Sequence, residues 1–149
     1  MIDHFRGQWR WLSNFWPCKV TFLDVTFPTV ENAYQAAKFE EPDLRLCFVD
    51  LEPGDAKRLG GPKGGLSEFV RKDWDWARWV VMNNLLWQKA ISDEIMPLLM
   101  GTGDEEIVEG NWWGDTFWGV CKGKGENHLG KIWMAHRSEI RAMHCRGEI

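Results

Sequence analysis

The sequence predicts an α+β fold, a predominantly helical single compact domain over residues 1–149 with a small N-terminal β-hairpin. Three observations predict it. Two short alternating runs flank a two-residue turn in residues 20–27, and the apolar residues after them recur mostly at helical spacing. No repeat, low-complexity tract or linker interrupts the 149 residues. A hydrophobic share of 44% and a charged share of 27% are those of a globular chain able to bury a core.

The elements follow in order. In CKVTFLDVTFP, Val20, Thr21 and Phe22 alternate, Leu23 and Asp24 make the turn, and Val25, Thr26 and Phe27 alternate again. TVENAYQAAKF reads as a helix capped by Thr29. Pro42 starts a helix through DLRLCFVDL, and a short helix around DAKRL stops at LGGPKGG. The longest helical signal covers residues 72–90. There Trp76, Trp79, Val80, Asn83 and Trp87 recur at helical spacing, with Val81, Leu85 and Leu86 widening the apolar side. Ser92 is placed to cap a helix through DEIMPLLM, bent or shortened by Pro97, and EEIVEG reads as a short strand. NWWGDTFWGVCKGKGEN is a glycine- and tryptophan-rich loop. Asn127 caps the last helix, whose buried face carries Leu129, Ile132, Trp133, His136, Ile140 and Met143.

Composition excludes some functions. A net charge of −4 and a pI near 5.6 lack the basic character of a dedicated nucleic-acid binder. No apolar run reaches membrane-spanning length, and the N-terminal MIDHFRGQWRWLSNF has neither a long apolar core nor a cleavage signature. Cys18, Cys47, Cys121 and Cys145 form no CxxC pair; reduced cysteines in a cytoplasmic protein are the expectation. His4, His128, His136 and His144 lack metal-ligand spacing, so no metal is expected, and His136 reads as a core-edge residue. Gly119, Gly123 and Lys124 miss the spacing of a phosphate loop, leaving GKGKGEN a plain turn or a set of backbone donors. Most of the 11 tryptophans are expected in the core, with a few free to stack on a base.

The candidate chemistry lies on one helix. At about 100° per residue, Glu31, Tyr34, Gln35 and Lys38 fall within roughly 100° of arc, opposite Val30, Ala33 and Ala37. A solvated polar face is the ordinary explanation of such a stripe. The alternative is a ligand wall: an acid and an amine about 10 Å apart along the axis can flank one small ligand. A partly desolvated lysine loses its proton more easily and attacks a carbonyl or imine carbon, while a carboxyl moves protons as a sugar ring opens. Glu109 and Asp115 are the other acids nominated.

The segments LSNFWP, FPTVENAYQAAKF, RKDW, LLMGTG, IVEG, DTFWG, GKGENHLG and WMAHR, in that order between Leu12 and Arg137, resemble the NADAR (YbiA-like) superfamily. The resemblance implies a mostly helical α+β domain and an N-glycosidase. One branch of the family cleaves intermediates of riboflavin synthesis, and another removes ADP-ribose from guanine in DNA. It further implies Glu31 as the essential acid, Lys38 as the Schiff-base lysine and Asp115 as a third catalytic residue. Asn14, Phe15, Tyr34, Gln35, Trp74, Glu109, Trp118, Gly119 and Asn127 would bind substrate. No cofactor is implied. The implied partner is an ADP-ribose or ribose-phosphate substrate, ADP-ribosylated DNA being one form, and no membrane is involved.

The sequence departs from the family pattern at Asn32, where histidine is usual, with little effect expected. It departs again at Trp133, where an aliphatic residue is usual. Trp112 and Trp113 enlarge the loop and are expected to reshape base recognition. Two rival readings stand beside the glycosidase. One is a non-catalytic ADP-ribose reader. The other is a single-strand binder using Arg6, Arg10, Lys19, Lys122, Lys124 and Lys131, against which the acidic run GDEEIVE weighs.

Overall fold

The hairpin forms as its alternation demands. In the computed structural model, which describes residues Met1–Ile149, β1 (Val20–Phe22) and β2 (Val25–Phe27) pair antiparallel, with Thr21 opposite Thr26. Leu23 and Asp24 both take positive φ (46° and 66°), the pair of signs that defines a type I′ turn. Thr29 accepts a hydrogen bond from the Asn32 amide and opens α1 (Val30–Ala36). α2 (Pro42–Leu46) and α3 (Pro53–Gly60) each begin on a proline, whose fixed φ suits a first turn. α4 (Trp74–Ala90) completes this set.

These elements make up one compact unit, Asn14–Lys89. Within it α1 packs against β1, β2, α2 and α3. All seven α1 residues are buried, so the helix has no solvated side. Asn32, expected to matter little, is fully buried and donates to the carbonyls of Phe48 (2.8 Å) and Leu51 (2.7 Å), tying down the chain after α2. Gln88 of α4 serves both free edge groups of Thr21 at 2.8 Å, which blunts the hairpin edge.

The second unit comprises Met1–Ser13 and Ala90–Ile149. It holds a 3-10 turn (Gly7–Leu12), α5 (Ile95–Gly101), β3 (Gly110–Asn111), β4 (Val120–Cys121) and α6 (His128–Cys145). β3 and β4 pair parallel, α5 packs on α6, and Trp11 meets the fully buried Trp133 edge to face at 6.1 Å. The fold is α+β and predominantly helical. No helix is long and apolar enough to cross a membrane.

Four local expectations are corrected. On α4 the stripe led by Trp76, Trp79 and Val80 faces outward, with Trp76 73% exposed. The buried face is Ala77, Val81, Met82, Leu85, Leu86, Lys89 and Ala90. The helix carries two apolar stripes, and the one with small and aliphatic side chains interdigitates more closely. Of the two effects expected of Pro97 it is the shortening that holds: α5 starts at Ile95, with Pro97 in its first turn, where no amide hydrogen bond is lost. EEIVEG is not one strand: it makes a single bridge at Ile107, to Ile2, and only its last residue, Gly110, belongs to a regular strand. The Asn127 side chain does not cap α6, and Met143 is only half-buried.

Candidate active site

The short helix α1 builds the first group of candidate residues. Its last helical residue is Ala36, so Lys38 stands on the turn just beyond the helix rather than on its face. That turn is held by the Lys38 amide on the Gln35 carbonyl and by the Lys38 carbonyl, which accepts from Arg71 at 2.8 Å. Leaving the helix frees the lysine from the stripe, and it reaches toward α3. Its Nζ donates to the carbonyl of Gly60 at 2.9 Å and lies 5.9 Å from the centre of the Tyr34 ring. Burial pushes the Lys38 amine below its ordinary pKa of 10.5, and the Glu31 carboxylate partly opposes that shift.

Glu31 is only 6% exposed. Its Oε1 accepts from Gln35 Nε2 at 2.9 Å, and its backbone amide donates to the Asn14 carbonyl at 3.1 Å. The Asn14 side-chain amide points at the Met82 sulfur, 3.6 Å away, while its buried Oδ1 makes no hydrogen bond. Tyr34 and Trp74 approach with ring centres 5.1 Å apart, tilted by 57°. Phe15 is partly exposed, with the Lys57 amine 5.9 Å from its ring centre. The solvated-stripe explanation is thereby excluded. An acid, an amide and an amine share a buried neighbourhood, and aromatic rings belong to it.

The second group lies in the tryptophan loop of the other unit, and hydrogen bonds within the loop organise it. The Oδ1 of Asp115 accepts from the amides of Phe117 (3.0 Å) and Trp118 (2.9 Å). Asn111 donates to the Asp115 carbonyl (2.8 Å) and to Oε2 of Glu109 (3.1 Å), and accepts from the Asp115 amide (3.1 Å). Asn127 bonds the Glu109 amide and the Ile107 carbonyl, both at 2.9 Å. It does so from a left-handed conformation (φ 53°) that asparagine tolerates better than most residues. Gly119 is required by close approach: a Cβ there would overlap the Glu109 carboxylate and carbonyl. Trp118 lies against Phe117, their ring centres 4.7 Å apart at 84°.

Two residues with a part in these clusters, Gly60 and Asn111, are not singled out by the sequence, and a third, Asn32, carries more than the little effect expected of it. Gly60 was hidden in a stretch legible only as a helix stop. Asn32 and Asn111 act through tertiary partners that no spacing rule reveals.

Comparison with known proteins fixes the family. The NADAR domain model matches residues 4–141. The chain belongs to the NADAR family. This NADAR chain is 36% identical over 150 residues to the N-glycosidase Npun_R5314 of Nostoc punctiforme, covering 95% of this chain and 94% of that one. It is 34% identical over 133 residues to the N-glycosidase YbiA of Escherichia coli, covering 86% of this chain and 79% of the relative. It is also 34% identical over 132 residues to the riboflavin biosynthesis protein VVA0006 of Vibrio vulnificus, covering 87% of this chain but only 35% of that longer protein. Among solved structures, the NMR structure of Escherichia coli YbiA superposes with a TM-score of 0.79 at 27% identity, covering 97% of this chain and 89% of that one.

Proposed function

We propose that this NADAR protein is a hydrolase of N-glycosyl bonds that cleaves between ribose C1′ and an amine or base nitrogen, with Lys38 as a transient covalent nucleophile. One observation carries the reading. The amine of Lys38 is half-buried, held on a backbone carbonyl and shifted toward its neutral, nucleophilic form, with Glu31 in the same buried neighbourhood.

The steps follow from imine chemistry. Glu31, ionised in the resting site, takes up a proton from solvent and passes it to the ring oxygen while the lone pair of the glycosidic nitrogen opens the C1′–O4′ bond, leaving an iminium at C1′ and a free hydroxyl; the proton returns to solvent when the sugar is released. Neutral Lys38 adds to C1′. A proton moves to the glycosidic nitrogen, which departs as the Lys38 lone pair forms the new imine. Water adds to that imine and expels the lysine, so the net change is one water consumed, one sugar released and one amine released. Because only the neutral amine attacks, the rate rises with pH toward the Lys38 pKa, which burial holds below 10.5.

The substrate we propose is ADP-ribose joined to guanine in DNA, one of the two branches that the family resemblance implies. An oligonucleotide carrying ADP-ribosyl-guanine, incubated with the protein, is expected to yield free ADP-ribose by mass spectrometry. Intact adduct throughout would reject this substrate. A second reading, cleavage of ribosylamino-pyrimidine phosphates, is favoured by relatives named riboflavin biosynthesis proteins. It predicts release of ribose 5-phosphate from those compounds and no turnover of the DNA adduct. Binding of ADP-ribose without turnover of either compound would favour the non-catalytic reader.

A further inference from the structure

We propose that Gly60 is a positioning residue for both reacting side chains: its carbonyl holds the Lys38 amine, and its missing side chain seats Gln35, which holds Glu31. The inference rests on the assignment of Lys38 and Glu31 to the reaction and adds the device that aligns them.

Gly60 is the last residue of α3, and a helix end leaves its final carbonyls without partners inside the helix. The Gly60 carbonyl accepts a hydrogen bond from Lys38 Nζ at 2.9 Å, at the negative end of the helix dipole. This fixes one end of a flexible four-carbon side chain. The Cα of the same residue meets α1. A Cβ at position 60 would overlap Oε1 of Gln35 and lie 3.0 Å from both its Cβ and Cδ. Gly60 is absent from the positive-φ residues, so the need for glycine is steric rather than torsional.

Gln35 is 5% exposed, and its buried Oε1 makes no hydrogen bond, so nothing polar holds that end of the amide. Two features hold Gln35 instead: the bare backbone of Gly60 on one side and the Glu31 carboxylate on the other, at 2.9 Å. An ionised carboxylate only accepts, which fixes the amide with Nε2 toward Glu31 and Oε1 toward Gly60. One glycine therefore sets the amine directly and the acid through a single intervening side chain. A methyl group at position 60 would lever the amide off Glu31.

The test is Gly60→Ala, with Gln35→Asn alone and combined with it. The first readout needs no substrate. In wild type the Gln35 side-chain amide proton on Glu31 is expected to be shifted downfield and to exchange slowly in NMR spectra, and in Gly60→Ala the exchange should quicken by about tenfold or more. On whichever of the two compounds the wild type turns over, the ADP-ribosyl-guanine oligonucleotide or a ribosylamino-pyrimidine phosphate, kcat of Gly60→Ala should fall by about tenfold or more with KM changed by less than about threefold. Asparagine, one carbon shorter, makes room for the methyl group. The double variant should therefore recover several-fold over Gly60→Ala, although Gln35→Asn alone is slower than wild type.

An unchanged amide signal in Gly60→Ala would overturn the proposal. So would an unchanged kcat beside a changed amide, or a double variant no faster than the single. If Gly60→Ala does not fold, as judged by circular dichroism, Gln35→Asn decides alone: kcat lowered at constant KM supports the link, and unaltered kcat overturns it. A wild type inactive on every ribosylamine would sink the N-glycosidase reading instead, and the amide measurement would still decide the Gly60 link.

Discussion

The two regions that hold the candidate acids differ in how completely their buried polar atoms are paired. In the tryptophan loop, Asp115 and Asn127 spend their named polar atoms on backbone groups of the loop and of the segment just before β3. Around α1 the pairing is incomplete. Glu31 meets Gln35, Lys38 meets a helix-end carbonyl, and Gln35 keeps a buried oxygen with no partner. A fully satisfied buried network gives rigidity, whereas an incompletely satisfied one stores interaction free energy that a ligand can claim. The loop is thus built like a scaffold and the α1 neighbourhood like a site.

The sharpest way to break that comparison is Lys38→Ala. Turnover should fall by roughly three orders of magnitude or more, the scale of losing a covalent nucleophile, while ligand binding by calorimetry stays measurable. Near-normal turnover would move the chemistry elsewhere. Glu31→Gln comes next. Removing the proton-transfer group should cost roughly 10²–10⁴ in kcat. The same change removes the charge that raises the Lys38 pKa, so the rising limb of the pH–rate profile should move to lower pH. A limb that moves upward would contradict the assignment of Lys38 to it.

In the loop the expected effects are on stability. Asn127→Ala leaves two buried backbone groups unpaired, a loss of roughly 2–4 kcal/mol visible as a lowered Tm. The smallest effect is reserved for Asp115→Asn, which keeps an oxygen to accept from Phe117 and Trp118 and should change stability by about 1 kcal/mol or less. The sequence reading gave Asp115 a catalytic part, and this variant separates the two roles. Turnover within about tenfold of wild type assigns the acid to the turn, while collapse at unchanged Tm assigns its charge to the reaction.

What the sequence made legible follows from which forces are local. The hairpin turn at Leu23 and Asp24, the Thr29 cap and the proline start of α2 each depend on a few neighbouring residues and stand where the chain announces them, although α2 stops at Leu46, short of the expected DLRLCFVDL. The outward tryptophans of α4 do not, because periodicity reveals a stripe but not its partner, and that helix has two. Asn127 was correctly placed at the start of α6, yet its side chain turns away to residues 18 and 20 positions earlier. The candidate site was legible as residue types on one short segment. Its organising contact, Lys38 on Gly60, joins residues 22 apart across two helices and exists only once they pack.

The central claim is a covalent one, and chemical trapping tests it most directly. Borohydride added during turnover reduces a lysine–sugar imine to a stable amine, and peptide mass spectrometry then locates the added mass. The account predicts one sugar adduct on Lys38 in wild type and none in Lys38→Ala. Turnover that proceeds with no trapped adduct, or with the adduct on another residue, would contradict it.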